Sequence, residues 1–282
     1  IENFTEHVIS TSADHPESVY AADVDADGDM DVLSASFYDD KIAWYENDGS
    51  ESFTEHAIST SANGAESVYK ADVDGDGDMD VLSASSGDDK IAWYENDGSE
   101  SFTEHAISTS ANGAKSVYAV DVDADGDMDV LSASRDDDKI AWYENDGSES
   151  FTEHAISTSA DGARSVYATD VDGDGDMDVL SAIQGPISGQ SYDGKISWYE
   201  NDGNQGFTEH AITTGLPGAP YSVYATDVDS DGDMDVLSGI AGDEIAWYEH
   251  FQDATAPAAP TGLAATTALT NVTLIWNTNS ED

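Results

Sequence analysis

The sequence predicts an all-β protein: a β-propeller of four-stranded antiparallel blades, with five blades in this chain. Three observations carry the prediction. A unit of 49 residues recurs, with the tryptophan of its WYE segment at Trp44, Trp93, Trp142, Trp198 and Trp247 and the phenylalanine of its FTEH segment at Phe4, Phe53, Phe102, Phe151 and Phe207; an insertion at 183–192 stretches the period once. Each unit holds four short runs of alternating apolar residues, none of helical length. Valine, isoleucine, tyrosine, tryptophan and threonine dominate these runs, and clusters of glycine, aspartate, asparagine and serine separate them. Four strands at this spacing suit a propeller blade, whereas helical solenoids and leucine-rich repeats need helices or shorter periods.

In the second unit the strands are expected at 67–73, 79–85, 90–95 and 102–108, joined by the turns DGDGD, SGDD and NDGSES. The chain opens on a fourth-strand run, 4–10, and its last repeat ends on a third strand, 244–249. Pairing of these two runs would close a five-blade ring over 1–250 by the N-terminal strand and hide two strand edges; the alternative is a segment of a larger ring. Beyond His250 the composition turns to alanine, threonine and proline. Residues 251–260 are expected to be a linker. Residues 261–282, with Leu263 and the alternating Val272, Leu274 and Trp276 after Pro257 and Pro260, resemble the start of a fibronectin type III domain, too short for a sandwich of about 100 residues.

Of 282 residues, 39% are hydrophobic, enough for a core. Sixty acidic residues against 8 basic ones give a formal charge of −52, which opposes nucleic acid and anionic membranes and favours a cationic partner. The absence of cysteine removes disulfides, thiolate zinc sites and cysteine nucleophiles. No run approaches the roughly 20 apolar residues of a membrane span, and no signal-peptide pattern opens the chain, so any export signal is expected to have been removed or to lie outside it.

Between the first and second strands of every unit stands D-x-D-x-D-G-D-x-D. The candidate metal ligands are Asp23, Asp25, Asp27, Asp29 and Asp31; Asp72, Asp74, Asp76, Asp78 and Asp80; Asp121, Asp123, Asp125, Asp127 and Asp129; Asp170, Asp172, Asp174, Asp176 and Asp178; and Asp227, Asp229, Asp231, Asp233 and Asp235. So many carboxylates in nine residues repel one another. A hard cation taking six to eight oxygens relieves that repulsion, which points to calcium (Ca2+), about five ions per chain. Positions 1, 3, 5 and 9 would offer side-chain oxygens, position 7 a backbone carbonyl, and the glycine at position 6 the tight turn. An EF-hand would need a glutamate at position 12 and flanking helices; here position 12 is serine in every copy, from Ser34 to Ser238, and the flanks are strands. A merely solvated acidic turn is the competing reading, and five recurrences of one ligand spacing weigh against it.

These loops, set in the frame DVDGDGDMDVLSAS…KIAWYEND, resemble the FG-GAP or VCBS repeat, the calcium-binding blade of integrin-alpha-like propellers and of many secreted bacterial proteins. The resemblance covers 1–250 and maps the family's D-x-D-x-D-G-x-x-D loop onto all five copies, while the FG-GAP tetrapeptide itself is absent. It implies calcium-stabilised blades in a secreted or cell-surface protein of bacterial type; family propellers usually have seven blades.

A hydrolytic triad is disfavoured because His7, His56, His105, His154 and His210 fall at one repeated position, whereas catalysis normally needs one asymmetric constellation. Connections alternate between the two faces of a ring. The calcium loops and the ENDG loops share a face that hardly varies among copies, and the 2–3 and 4–1 loops share a face that does. There Tyr38, Lys115, Arg135, Arg164, Tyr192 and Tyr221 are the candidate ligand-binding residues, although neutral drift after duplication predicts the same variation. The expected function is non-enzymatic: a calcium-stabilised extracellular adhesion or recognition module of a larger protein, with a surface protein or a glycan as ligand and no nucleic acid or membrane insertion. The alternatives are a glycan-binding lectin propeller and an accessory domain of a polysaccharide-degrading enzyme.

Overall fold

Alternation of apolar side chains puts one set of residues on each face of a strand, so a sheet built from these runs has two faces to bury. The computed structural model describes residues 4–188 and 191–251, and there the chain solves this by stacking sheet on sheet. Five antiparallel sheets follow one another as the blades of a β-propeller, with no helix among the described residues. Blade 1 is β1 (Pro16–Ala22), β2 (Asp31–Ser36), β3 (Lys41–Asn47) and β4 (Phe53–Ser59). Blade 2 is β5 (Ala65–Ala71), β6 (Asp80–Ser85), β7 (Lys90–Asn96) and β8 (Phe102–Ser108). Blade 3 is β9 (Ala114–Val120), β10 (Asp129–Ser134), β11 (Lys139–Asn145) and β12 (Phe151–Ser157). Blade 4 is β13 (Ala163–Thr169), β14 (Asp178–Ile183), β17 (Gly194–Asn201) and β18 (Phe207–Leu216), with the short pair β15 (Ile187–Ser188) and β16 (Ser191–Tyr192) rising from its 2–3 connection. Blade 5 has three strands, β19 (Tyr224–Thr226), β20 (Asp235–Ile240) and β21 (Glu244–Tyr248).

Each core lies between two blades. Leu33, Ile42 and Trp44 of blade 1 pack on Val68, Val81 and Tyr94 of blade 2, and Leu82, Ile91 and Trp93 of blade 2 meet Val117, Val130 and Tyr143 of blade 3. Polar groups repeat at the same joints. The Val68 N–H donates to Ser18 Oγ at 3.4 Å, and Val117, Val166 and Val223 do likewise to Ser67, Ser116 and Ser165. Asn96 Nδ2 donates to the Val24 carbonyl of the preceding blade at 3.2 Å, and Asn145 and Asn201 repeat this bond to Val73 and Val122. Along the first strands, Tyr20, Tyr69, Tyr118, Tyr167 and Tyr224 form a ladder with ring centroids 4.7–5.0 Å apart.

The expected closure by the N-terminal strand is corrected here. Residues 4–10 carry no strand, and β21 has no fourth strand beside it among the described residues. Residues 6–10 instead lie with Pro16, Val19, Val32 and Tyr45 around a hollow against blade 1. A run of strand-forming sequence becomes a strand only where a partner edge meets its backbone, and blade 1 offers this one none. The expected linker and fibronectin-like segment lie outside the described residues, Phe251 apart.

Candidate metal centres and binding face

Strand 1 of each blade runs out into the acidic loop, which turns at its sixth residue; in blade 2 this is Gly77, at φ +100°, a conformation side chains resist. The turn then aims backbone donors at the carboxylates. Gly77 N–H donates to Asp72 Oδ2 at 3.1 Å, Asp76 N–H to Asp74 Oδ1 at 3.1 Å, and Asp78 N–H to Asp76 Oδ1 at 2.8 Å. The ninth residue is the brace of the whole arrangement. Asp80, fully buried, accepts the Val73 N–H on Oδ2 at 2.9 Å and the Asn96 N–H on Oδ1 at 2.8 Å, tying the acidic loop to the ENDG loop. Asp31, Asp129, Asp178 and Asp235 make the same pair of bonds, the last with His250 in the place of the asparagine.

This geometry gathers carboxylate oxygens within 4.8 Å of one another once per blade: Asp72, Asp74 and Asp80; Asp121, Asp123 and Asp129; and Asp170, Asp172 and Asp178 in the middle blades; Asp23, Asp25 and Asp27 in the first; Asp227, Asp229 and Asp231 in the last. Hard oxygen donors at this separation are compatible with calcium. A second observation fits a cation: Oδ1 of Asp23, Asp72 and Asp121 is buried without a hydrogen-bond partner, a costly state for an anionic oxygen unless a positive charge meets it. Burial pushes Asp80, Asp129 and Asp178 up to about 6, although backbone donors oppose it. Burial, and then the neighbouring carboxylates, also raise Asp74 and Asp123. The position 7 residues Asp29, Asp78, Asp127, Asp176 and Asp233 stand in none of these groups. The Asp78 carboxylate packs instead against Gly98 of the ENDG loop, leaving no room there for a Cβ.

The repeated histidines are held in place. His56, His105, His154 and His210 stack on Trp44, Trp93, Trp142 and Trp198, with centroids 4.6–4.7 Å apart, and each Nε2 meets a glutamate Oε2 at 2.6–2.8 Å. His7 lies outside any strand and is exposed.

On the opposite face the 2–3 and 4–1 loops of each blade bond to one another, as with Arg135 N to the Gly113 carbonyl and Gln184 N to the Gly162 carbonyl. Three expected ligand residues come together. Arg135 and Arg164 line one open cleft of about 590 Å³ with Asp136, Asp161 and Gln184, and the Arg164 guanidinium lies 4.7 Å over the Tyr221 ring. The others do not join them. Lys115 is taken by Glu66 of blade 2, Tyr38 packs against His15 and Phe37 on blade 1, and the Tyr192 side chain lies outside the described residues. Sequence reasoning missed Glu66, Asp161 and Gln184. A signal for Glu66 existed: Glu17, Glu66, Lys115, Arg164 and Tyr221 occupy one column, before the invariant Ser-Val-Tyr of strand 1, and in the structure Lys115 meets Glu66 and Arg164 meets Tyr221 across blades.

The FG-GAP-like repeat family model matches residues 23–83, 72–132, 121–181 and 187–238. Among solved structures, the chain is similar to the V. cholerae biofilm matrix protein Bap1, with 19% identity and a TM-score of 0.47, covering 80% of this chain and 34% of that one. It is also similar to a putative 6-phosphogluconolactonase from Bacteroides uniformis, with 12% identity and a TM-score of 0.51, covering 78% of this chain and 62% of that one. At such identities the likeness concerns the fold alone, and the chain spans less than two thirds of either protein. Among curated proteins no sequence matches the chain.

Proposed function

The chain belongs to the FG-GAP-like repeat family, and from that premise we propose that it is a calcium-stabilised, non-catalytic adhesion or recognition module that works outside the cell, as part of a larger secreted or cell-surface protein. The observation that carries this reading is the division between the two faces. One face repeats an aspartate cluster in every blade; the other differs in every blade. Calcium would be held by the side chains at positions 1, 3, 5 and 9, with the position 7 carbonyl completing the set, and it would supply charge neutralisation rather than chemistry. The extracellular placement follows from the ion, because sites of this kind suit the millimolar calcium found outside cells. The non-catalytic reading is supported by the histidines, four of which are fixed by a tryptophan face and a glutamate.

Calorimetric titration of the chelator-stripped chain with calcium tests the proposal. About five ions per chain are expected, with a rise in melting temperature. A melt indifferent to chelator and a stoichiometry near zero would remove calcium from the account, and hydrolysis of a lactone or phosphoester substrate by the purified chain would remove the non-catalytic reading.

A further inference from the structure

In a chain of net charge −52, basic side chains should all find carboxylates, and most do. Lys41, Lys90 and Lys139 each sit between an aspartate and a glutamate, Lys195 meets Glu209, Lys115 meets Glu66, and Arg135 chelates Asp136 with Nε to Oδ1 at 2.6 Å and Nη2 to Oδ2 at 2.8 Å. Among the described residues Lys70 and Arg164 stand outside these pairs, and of the two Arg164 is the one held by other side chains. Among the described residues its bonds go to a neutral acceptor: Nε and Nη2 donate to Gln184 Oε1 at 2.8 and 2.5 Å, and Tyr221 backs the guanidinium plane.

That leaves a defined group. A guanidinium has five N–H bonds in a rigid plane, and Gln184 takes two from one edge. The Nη1/Nη2 edge, held flat by Tyr221, has the fork that receives both oxygens of a planar carboxylate. The same cleft presents Asp136 and Asp161, whose carboxylates accept hydroxyl hydrogens and repel further negative charge. One carboxylate flanked by hydroxyl donors is the chemistry of a uronic acid.

We propose that the cleft between the third and fourth blades binds a carboxylated sugar, a single hexuronate residue in an otherwise neutral glycan, through the free edge of Arg164 with Asp161 receiving ring hydroxyls; the net charge of −52 and the two aspartates of the cleft disfavour a ligand with further carboxylates. This rests on the reading of the chain as a recognition module and names its ligand class. The column that supplies Arg164 changes from glutamate to lysine to arginine to tyrosine between blades whose neighbouring residues stay Ser-Val-Tyr, so the site is built once and not five times.

The test uses the full calcium-loaded chain and aldotriouronic acid, one hexuronate on a neutral xylobiose, titrated by calorimetry beside the neutral xylotriose, a sulfated trisaccharide and a glutamate hexapeptide. The aldotriouronic acid should bind at least ten-fold more tightly than each of the other three. Arg164→Gln should lose at least ten-fold of that binding, Arg164→Lys should lose part of it, and neither should change the melting temperature or calcium stoichiometry. Equal binding of the neutral sugar, preference for the sulfated sugar or peptide, or an Arg164→Gln variant that binds like the parent overturns the inference. In those cases the recognition reading stands, because something still binds. If neither the parent nor the variant captures any member of a broad glycan and protein panel, both readings fall. A variant that loses its fold is replaced by Gln184→Met, which frees the guanidinium edge from its anchor and should weaken binding of the aldotriouronic acid while leaving the aspartate sites intact.

Discussion

The middle blades and the terminal blades are written in nearly the same sequence and end in different environments. Val68 and Val117 are 3% and 4% exposed, whereas Val19, in the same column of blade 1, is 69% exposed. Ile91 and Trp93 are wholly buried, whereas Ile245 and Trp247 of blade 5 are 89% and 45% exposed. Asp80, Asp129 and Asp178 are pushed up by burial to about 6, but in Asp235 the donors His250 and Val228 outweigh burial and its value falls below the ordinary carboxylate range. The same residues therefore contribute differently according to whether a neighbouring blade covers them. The stabilising unit is the joint between two blades, as in a nearest-neighbour repeat protein.

Calcium removal gives the largest expected effect and the clearest way to break this comparison. Each site that binds only the folded state adds about 2.7 kcal/mol at a hundred-fold excess of ion over its dissociation constant. The middle groups include the buried ninth aspartate and the terminal groups the exposed fifth, Asp27 or Asp231. A titration should therefore resolve three tighter sites and two weaker ones, with Asp72→Asn removing a tight site and Asp227→Asn a weak one. Five identical isotherms would show that the joint does not reach the loop.

Core truncation comes next. Trp93→Ala should cost about 3–5 kcal/mol, as for a buried aromatic, and Trp247→Ala about 1 kcal/mol, read from the shift of a urea transition in excess calcium. Equal costs would mean that the face of blade 5 is covered in solution. The asparagine clamp is a smaller probe of the same idea. Asn96→Ala strips the Val24 carbonyl of its donor and should cost about 1–3 kcal/mol, while Asn47→Ala, which loses a bond to Met30 within its own blade, should cost about 1 kcal/mol.

The smallest effect is on pH. With folded values near 6 against an ordinary 3.8, Asp80, Asp129 and Asp178 hold protons in the folded chain that the unfolded chain has released. In chelator, the middle blades should gain stability as pH falls from 7 through 6 toward 4, and calcium affinity should fall over the same window because the proton competes. Asp235 has the opposite sign: its contribution is present above its unfolded value and is lost as pH falls through the folded one. Amide exchange read blade by blade at pH 7 and pH 5 checks both signs.

Much of this was legible in the sequence because repetition is a strong signal. The strand expected at 102–108 is β8 itself, and those at 79–85 and 90–95 differ from β6 and β7 by one residue. The acidic loops, and their place on the face of the ENDG loops, were equally legible, since a strand count fixes which turns share a side. Orientation within the loop was legible only in part. The spacing reserves position 7 for its backbone carbonyl, and Asp78 turns its carboxylate to Gly98, but it sets position 5 beside positions 1, 3 and 9, whereas Asp76 stands outside the group of Asp72, Asp74 and Asp80. Nor could a single run reveal its partner: 4–10 reads like β4 and lacks the edge that makes β4 a strand. Lys115 was a candidate ligand-binding residue because Glu66, which claims it, lies 49 residues earlier and meets it only when blades stack.

The sameness of the joints has a consequence for the protein's history. The serine-to-valine bond and the asparagine clamp recur with the same chemistry from one boundary to the next. Excision of 102–150 would set Trp93 against the blade that follows with an unchanged complement of valine, tyrosine and asparagine. Unequal recombination between copies therefore yields chains one unit shorter or longer that inherit a working boundary at the scar. Blade number is a quantity that lineages can count up or down, and the variable face is what each count carries along.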